Sequence, residues 1–410
     1  MTAPPPPVRP SPTPVAVRAA DTFRDLSRER RWLADREADV LRSQVEIARI
    51  PAPTGEEQRR AQHVACELIG AGLSATIDDA GNVIARAPGA YEAAPVVVCA
   101  HLDTVFPEDT DLDVRRDGAR LVGPGICDNG RGLAVMLMLA RVMHGCRSGF
   151  ARPVEFVATT GEEGAGDLRG AKHYFSRARE PHSVIAIDGA GDERIINTGL
   201  GSRRFRITYH GPGGHSWAAF GVANPVHAAA RAASVLAGLR IGGAAGLRSA
   251  LTVSRIGGGM SVNSIPENAW LEVDVRSTSD VALGRLEREV RDVAAAAATE
   301  ENQRRAPGSD ALRFEVTRIG DRPGGMTADD APLVAAAMAS TRLVGREPEL
   351  ATASTDANAA MSLGVPAIAI GGGGRGGAAH TSREWFDNTG GAAGVERALT
   401  IVATMARSAD

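Results

Sequence analysis

The stretch Val96-Val-Val-Cys-Ala-His101-Leu-Asp103-Thr104 joins a buried-strand pattern to a His-x-Asp motif. Val96–Cys99 is a short β-branched run, which predicts a buried strand. His101 would then lie just past the carboxyl end of that strand, where open α/β sheets hold their ligands. Asp103 is near enough to accept the second ring N–H of His101, a contact that fixes the tautomer of a metal-binding imidazole. If the His-x-Asp motif is considered alone, the alternative to a metal ligand is that His101 is a capped histidine in a surface turn.

Three further apolar runs are each followed by residues of types that can bind metals. They are Val154–Thr160 before Glu162 and Glu163, Ser183–Ile187 before Asp188, and Val365–Ile370 before a glycine-rich loop and His380. Neighbouring carboxylates such as Glu162 and Glu163 repel each other unless a cation or a shared proton relieves them. Several strands that each deliver a His, Asp or Glu at the same end predict a metal site.

Asp128 lies in the turn-rich segment Gly123–Gly130, before an apolar helix predicted over Leu133–Met143. Taken alone, Asp128 is better explained as a helix N-cap. Joined to the strand ends, it completes a donor set of imidazoles and carboxylates. Such a set without thiolates suits zinc, although manganese or cobalt would fit the same ligands.

With these motifs the chain resembles the two-zinc peptidases and deacylases that include peptidase T, glutamate carboxypeptidase, succinyl-diaminopimelate desuccinylase, acetylornithine deacetylase and aminoacylase. The resemblance rests on His101–Val105, Gly125–Gly130, Gly161–Gly164, Asp188 and Ala379-His380, which occur in the family's order. It covers roughly residues 40–405. The family uses these motifs on many amides, so they do not specify the substrate.

The resemblance implies a site that holds two divalent metal ions, with zinc as the first choice. Its ligands would be His101 and Asp188 for one ion, Glu163 and His380 for the other, and Asp128 for both. Glu162 would be the general base that works with a bridging hydroxide, and Asp103 would orient His101. The reaction would be hydrolysis of an amide bond.

After Asp188 the pattern changes to that of a smaller α+β unit. The predicted elements are a strand over 204–210, a helix over 224–239, strands over 250–256 and 269–276, a helix over 281–297 and a strand over 312–318. This β-α-β-β-α-β order is the ferredoxin-like split unit. We therefore expect an α/β mixed-sheet catalytic domain over 21–198 and 319–410, interrupted by an α+β domain over 199–318. By resemblance the insert is a lid and dimerisation domain, which implies a homodimer.

Three residues of the insert match functional positions of the family. His215 lies in a loop of glycines, which let a backbone approach a ligand closely. The resemblance implies that His215 enters the partner subunit's site and stabilises the oxyanion; an exposed loop histidine is the alternative. Asn263 and Arg276 match substrate contacts, the arginine through a carboxylate clamp. The alternative for Asn263 is a turn residue before Pro266, and the alternative for Arg276 is a salt bridge at the end of a strand.

Composition bounds the class of protein. Hydrophobic residues make up 43% and charged residues 23% of 410 residues, which is ordinary for a globular enzyme. A net charge of −3 argues against a nucleic-acid or anionic-membrane partner. Four cysteines without metal-binding spacing predict free thiols in a reducing cytoplasm.

No apolar run has the length of a membrane span. Residues 1–20 are expected to form a disordered proline-rich tail without a signal-peptide core, and Gly242–Gly246 a turn.

The preferred function is hydrolysis of a small peptide by an aminopeptidase or dipeptidase. Deacylation of an N-acyl amino acid is the alternative, and a metal-binding relative without turnover is a third. Glu162 argues against this third alternative, because a protein that only binds metal does not need a general base beside Glu163. Gly371–Gly377 contains GxGxxG, but a dinucleotide site would need a helix directly after it. We expect this loop to be a wall beside the substrate.

Overall fold

The computed structural model describes residues 13–87, 92–146, 150–177, 180–241 and 248–407. The chain divides into two compact units. The first comprises Met1–Asn197 and Met326–Asp410, and the second comprises Thr198–Gly325.

The described strands are, in chain order, β1 Ala75–Ile77, β2 Val83–Ala87, β3 Val96–His101, β4 Arg115–Asp117, β5 Arg120–Val122, β6 Val154–Thr159, β7 Ser183–Ile187, β8 Arg194–Gly199, β9 Gly201–His210, β10 Gly214–His215, β11 Ser249–Gly258, β12 Ser264–Ile265, β13 Asn268–Ser277, β14 Arg313–Arg322, β15 Gly325–Met326, β16 Glu349–Ala353, β17 Ala367–Ile370, β18 Arg375–Gly377 and β19 Trp385–Asp387. The described helices are α1 Pro14–Asp25, α2 Ser27–Ala34, α3 Glu37–Ala48, α4 Gln58–Gly70, α5 Gly130–Gly145, α6 Arg169–Arg177, α7 Pro225–Gly238, α8 Asp280–Arg304, α9 Pro332–Leu343, α10 Ala357–Met361 and α11 Gly391–Ala406.

The first unit is built on a mixed sheet of nine strands. Its order is β1-β2-β6-β3-β7-β17-β8-β15, with β16 paired to β8. The neighbours β6, β3, β7 and β17 run parallel to one another. Antiparallel strands flank them, since β2 pairs with β6 and β8 pairs with β17 in that sense. The predicted α/β mixed-sheet fold is confirmed.

Both faces of this sheet are covered by helices. In β3, Val96 and Val98 belong to an apolar cluster that includes residues of α3, α5 and α11. Val97 and Cys99 belong to a second cluster with residues of α6 and α10. Every residue of β3 is consequently buried. A strand buried on both faces is apolar at successive positions, which explains the continuous valine run.

The second unit has one antiparallel sheet in the order β11-β13-β9-β14, packed with α7 and α8. The chain passes through β9, α7, β11, β13, α8 and β14, which is the split unit expected from the pattern. Helix α8 and the four strands of this sheet are all longer than the sequence indicated. Helix α8 continues to Arg304 because the residues after its alanine tract are helix formers. Strand β14 continues to Arg322 through a register shift opposite β9.

The N-terminal region departs from its expectation. The prediction of a disordered tail up to residue 20 is wrong for residues 14–20, because α1 begins at Pro14. The side-chain oxygen of Thr13 accepts the N–H of Ala16 at 3.3 Å, and proline suits the first helical position. Ala19 and Thr22 are buried, and α1 packs against α9 and α11. Residues 1–12 and the predicted turn at Gly242–Gly246 lie outside the described residues.

Within the described ranges, every helix is too short or too polar to cross a bilayer.

Candidate metal centre

The parallel strands bring the candidate ligands to one edge of the sheet. His101 is the last residue of β3, and Asp188 directly follows β7. Glu163 follows β6 by four positions. Because these strands are parallel neighbours, their carboxyl ends meet at the same edge. The site is therefore assembled from loops that begin at fixed points of a rigid sheet.

The carboxylate of Asp128 lies between two imidazoles. Its Oδ1 is 3.0 Å from Nε2 of His101, and its Oδ2 is 3.2 Å from Nε2 of His380. On one side, Oδ1 of Asp188 lies 3.8 Å from Nε2 of His101. On the other, Oε1 of Glu163 lies 2.9 Å from Nε2 of His380. The five side chains thus divide into two pairs, each with one imidazole and one carboxylate, around a shared Asp128.

Asp103 organises the site through the backbone. Its carboxylate accepts the N–H groups of Glu162 and Glu163, each at 2.9 Å, and the hydroxyl of Thr54 at 2.8 Å. Nδ1 of His101 lies 3.1 Å from the main-chain oxygen of Asp103 and 3.6 Å from its carboxylate. The carbonyl is therefore the hydrogen-bond acceptor for this ring nitrogen. The Asp103 carboxylate instead holds the turn that carries both glutamates.

Glu384 supports Asp128 and was not singled out by the sequence. Its buried carboxylate accepts the N–H groups of Cys127 at 2.7 Å, Asp128 at 2.8 Å and Gly125 at 3.1 Å. Burial raises the pKa of Glu384 to about 7, against these hydrogen bonds. A glutamate four positions after His380 was the available signal, but the N–H groups that donate to it lie far away along the chain.

Asn129 is a second residue that the motifs did not reveal. Its Oδ1 accepts the N–H of Gly132 at 3.0 Å as the N-cap of α5, and also the N–H of Gly189 at 3.1 Å. Its Nδ2 donates to the oxygen of Ile187 at 2.9 Å. Asn129 therefore ties the residue after Asp128 to the backbone on both sides of Asp188. It fixes the spacing between these two carboxylates.

The electrostatics of the site are those of crowded carboxylates balanced by imidazoles. Hydrogen bonding to Asp128 raises the pKa of His380 to about 9. Burial disfavours the charged form of His101, but Asp103, Asp128 and Asp188 outweigh it and hold its pKa well above the usual value. Burial likewise works against ionised Asp128, yet the two imidazoles lower its pKa. Burial raises the pKa of Glu163.

The residues fit a pair of divalent cations. Ligand atoms of His101, Asp128 and Glu163 all lie within 4.8 Å of one another. The donors are imidazole nitrogens and carboxylate oxygens, the set that zinc, manganese and cobalt accept. Cys127 is buried beside Asp128, and burial raises the pKa of its thiol. In the metal-free protein, the positive charge next to these carboxylates comes from imidazolium groups. Divalent cations bound at the site would provide that charge instead.

Comparison with known proteins places this geometry in a family. The model of peptidase family M20/M25/M40 matches residues 97–408, which include all five candidate ligands and both candidate catalytic carboxylates. The chain belongs to this family. M20 proteins are hydrolytic enzymes, peptidases and amidohydrolases, so the chain is a member of a family of hydrolases.

Solved M20 structures share the fold of the chain. An aminopeptidase PepT from Bacillus cereus superposes with a TM-score of 0.71 at 20% identity, over 90% of this chain and 98% of that one. A tripeptidase from Staphylococcus aureus gives a TM-score of 0.73 at 20% identity, with the same coverage. YxeP of Bacillus subtilis, a dinuclear metal-binding M20 peptidase, gives 0.64 at 18% identity, over 90% and 97%. These likenesses show the fold.

A curated relative from Aeropyrum pernix is described as a LysW-lysine/LysW-ornithine hydrolase. It is 30% identical over 241 residues, which are 57% of this chain and 61% of the relative. The chain thus matches about three-fifths of the relative's length.

The remaining predicted residues belong to the second unit. His215 lies on β10, which pairs with β12, and its loop also bonds to Asn263 through the N–H of Ser216 at 3.0 Å. The structure therefore brings His215 and Asn263 into one loop cluster. Arg276 lies on β13 and is separate, with its Nε 2.6 Å from Oδ2 of Asp274. Its predicted salt-bridge alternative is present in the structure.

We expect Glu384→Gln to weaken zinc binding. A glutamine keeps one oxygen for two N–H donors but turns its own NH₂ group toward the third. Residues that orient metal ligands in this indirect way are worth roughly 10–100-fold in affinity. Competition with a chromophoric chelator measures the change. Glu396→Gln is the control, because Glu396 pairs with Arg30 on the helical layer. Equal zinc affinity of both variants and wild type would contradict the role of Glu384.

We also expect a pH dependence of the metal-free protein. The pKa of His380 is raised from 6.5 to about 9, so its stabilising contribution is fully present below pH 6.5. That contribution is lost as the pH rises through 9, and His101 acts in the same direction. Urea unfolding of chelator-treated protein should show a free energy that falls across this interval. The slope should become shallower in His380→Gln and stay unchanged in His210→Gln. A constant or rising stability would refute the assignment.

Proposed function

We propose that the protein hydrolyses the amide bond of a small peptide, as an aminopeptidase or dipeptidase. The observation that carries the proposal is the position of Asp128 between His101 and His380, with Asp188 and Glu163 on either side. We assign His101 and Asp188 to one zinc ion, Glu163 and His380 to the other, and Asp128 to both.

The chemistry assigned to the chain's own residues centres on Glu162. Divalent cations, when bound, would acidify a water molecule and polarise the scissile carbonyl. Glu162 is buried next to Glu163, and Asp103 holds the main-chain N–H of each. As a ligand, Glu163 would remain ionised. Glu162 would take the proton of the attacking water and return it to the leaving amine.

The alternative is an N-acyl amino acid deacylase. The curated relative, which is described as a LysW-lysine/LysW-ornithine hydrolase, is compatible with this alternative. The peptidase fold neighbours support the first choice. Both reactions use the same ligands and base, so the substrate decides between them. A screen of di- and tripeptides against N-acetyl and N-succinyl amino acids, with zinc or manganese, separates the two.

Glu162→Gln should retain both metal ions and lose turnover. The substitution removes the group that moves the proton, a role worth roughly 10²–10⁴-fold in rate. Elemental analysis and initial rates on the best substrate of the screen measure the two properties. Glu347→Gln is the matched control, because the side chain of Glu347 is 92% exposed. A near wild-type rate for Glu162→Gln would show that another group is the base.

We propose in addition that the enzyme is a homodimer whose second unit is a lid, with His215 as an oxyanion donor to the partner's site. Nδ1 of His215 accepts the N–H of Trp217 at 3.2 Å, which leaves the proton on Nε2. A neutral imidazole of this tautomer can donate to a developing oxyanion. Four exposed apolar residues of this unit support an association surface, namely Trp217, Phe220, Met260 and Val262. Asn263 would contact the substrate.

Subunit mixing tests the action of His215 across a dimer. Glu162→Gln and His215→Ala should each be nearly inactive, the second by about 10²–10³-fold. After subunit exchange, a heterodimer has one site with both residues intact. An equal mixture should regain up to about a quarter of wild-type activity by random pairing. No recovery despite demonstrated exchange would mean that His215 acts within its own chain or not at all.

A further inference from the structure

A cavity of about 670 Å³ opens beside the ligand cluster, within the first unit. Asp128 and Asp188 line one end of it. Its other walls are the segment 189–194, the glycine loop 371–377, Trp385 and Arg346. This volume is in the range of sites for small molecules. A group attached to an amide at the ligand cluster can therefore extend into it.

Three arginines, Arg194, Arg346 and Arg375, are among the residues that line the cavity. Arg346 is neutralised by Asp192, with Nε and Oδ2 2.8 Å apart. Arg194 and Arg375 make no side-chain hydrogen bond or ion pair within the part of the chain that the structure describes, and Glu193 is the remaining acid there. Outside the ligand cluster, the lining thus holds two guanidinium groups without an ion pair and one such carboxylate, which favours an anionic occupant.

Arg375 is presented by a fixed wall. It lies on β18 directly opposite Asp387 of β19. Asp387 forms no ion pair with it among the described residues, since its carboxylate accepts the N–H of Thr389 at 2.9 Å and the hydroxyl of Thr389 at 2.7 Å. The charge of Arg375 still contributes, after these hydrogen bonds, to the lowered pKa of Asp387. Buried Arg131 holds the loop through Gly372, its Nε 2.8 Å from the carbonyl oxygen. At Gly376 a Cβ would lie 2.5 Å from Sγ of Cys127, so glycine lets the strand pack closely there.

Arg276 and Arg375 differ in whether an acidic side chain already pairs with them. The family resemblance implied Arg276 as a carboxylate clamp, with a strand-end salt bridge as the alternative, and its guanidinium already pairs with Asp274. A substrate carboxylate would have to displace that partner. Arg375 forms no such ion pair among the described residues and lines the same cavity as Asp128 and Asp188.

We propose that Arg375 forms a subsite for a carboxylate of the substrate. The inference rests on the proposed function, since hydrolysis at the ligand cluster places the amide next to this cavity. The carboxylate is either the main-chain terminus of a peptide or N-acyl amino acid, or an acidic side chain beside the cleaved bond. A guanidinium binds both through two parallel hydrogen bonds.

Matched substrates test the proposal kinetically. N-acetyl-L-alanine is compared with N-acetyl-L-alaninamide, and Ala-Ala with Ala-Ala-amide, in wild type, Arg375→Ala and Arg375→Lys. For the acids, Arg375→Ala should lower kcat/KM about 10–100-fold, mainly through KM, as expected for a lost charged hydrogen bond. For the amides it should leave kcat/KM unchanged. Arg375→Lys should recover part of the loss. Arg116→Ala, an exposed arginine of β4 outside the cavity, is the control and should match wild type.

The two sources of the carboxylate are separated by a third pair, N-acetyl-L-glutamate and N-acetyl-L-glutamine. If only the main-chain carboxylate binds, Arg375→Ala affects both compounds equally. If the acidic side chain binds, only the glutamate compound is affected. An equal loss on acids and amides, or no loss on any of them, would overturn the subsite.

A binding measurement keeps this test independent of turnover. N-acetyl-L-alanine and its amide, and N-acetyl-L-glutamate and N-acetyl-L-glutamine, are titrated calorimetrically into metal-loaded Glu162→Gln, with and without Arg375→Ala. Carboxylate-dependent binding that disappears with Arg375 supports the subsite even if the substrate screen finds no hydrolysis, in which case only the proposed reaction fails. Binding that does not depend on a carboxylate in either pair, or that is unaffected by Arg375→Ala, would refute the subsite whatever the outcome of the screen.

Discussion

The carboxyl ends of β3, β6, β7 and β17 lie at one edge of a rigid sheet, and the chemistry of the protein depends on this constraint. Their loops bring three carboxylates, those of Asp128, Glu163 and Asp188, to the imidazoles of His101 and His380. Like charges at this separation are unfavourable unless positive charge lies among them. The raised pKa of His380 and the lowered pKa of Asp128 are the response of the chain's own groups. Divalent cations fit the same position.

The precision of the cluster comes from backbone hydrogen bonds to three supporting side chains. Asp103 holds the turn of the two glutamates, and Glu384 holds the turn of Asp128. Asn129 connects the Asp128 turn to the end of β7. These contacts cross between loops that are distant in sequence. Each loop is therefore fixed by an acceptor that belongs to another loop, so the ligand positions do not depend on any single segment.

Sequence reasoning reached the strands and proposed candidate ligands at their ends because both leave local signals. Val96–Cys99 is apolar at every position because β3 is buried on both faces, and the polar residue at its end is then conspicuous. Glu384 left no such signal, since its role depends on N–H groups of a turn more than 250 residues earlier. The proline-rich composition hid α1, whose first turn tolerates proline. For Arg276, the sequence predicted a salt bridge only as the alternative to a substrate contact.

Anomalous X-ray diffraction at the zinc absorption edge, from crystals of the zinc-loaded protein, tests the central claim most directly. The account predicts two peaks that share the Asp128 carboxylate. One would be ligated by His101 and Asp188 and the other by Glu163 and His380. A single peak, or two peaks that do not share Asp128, would contradict it.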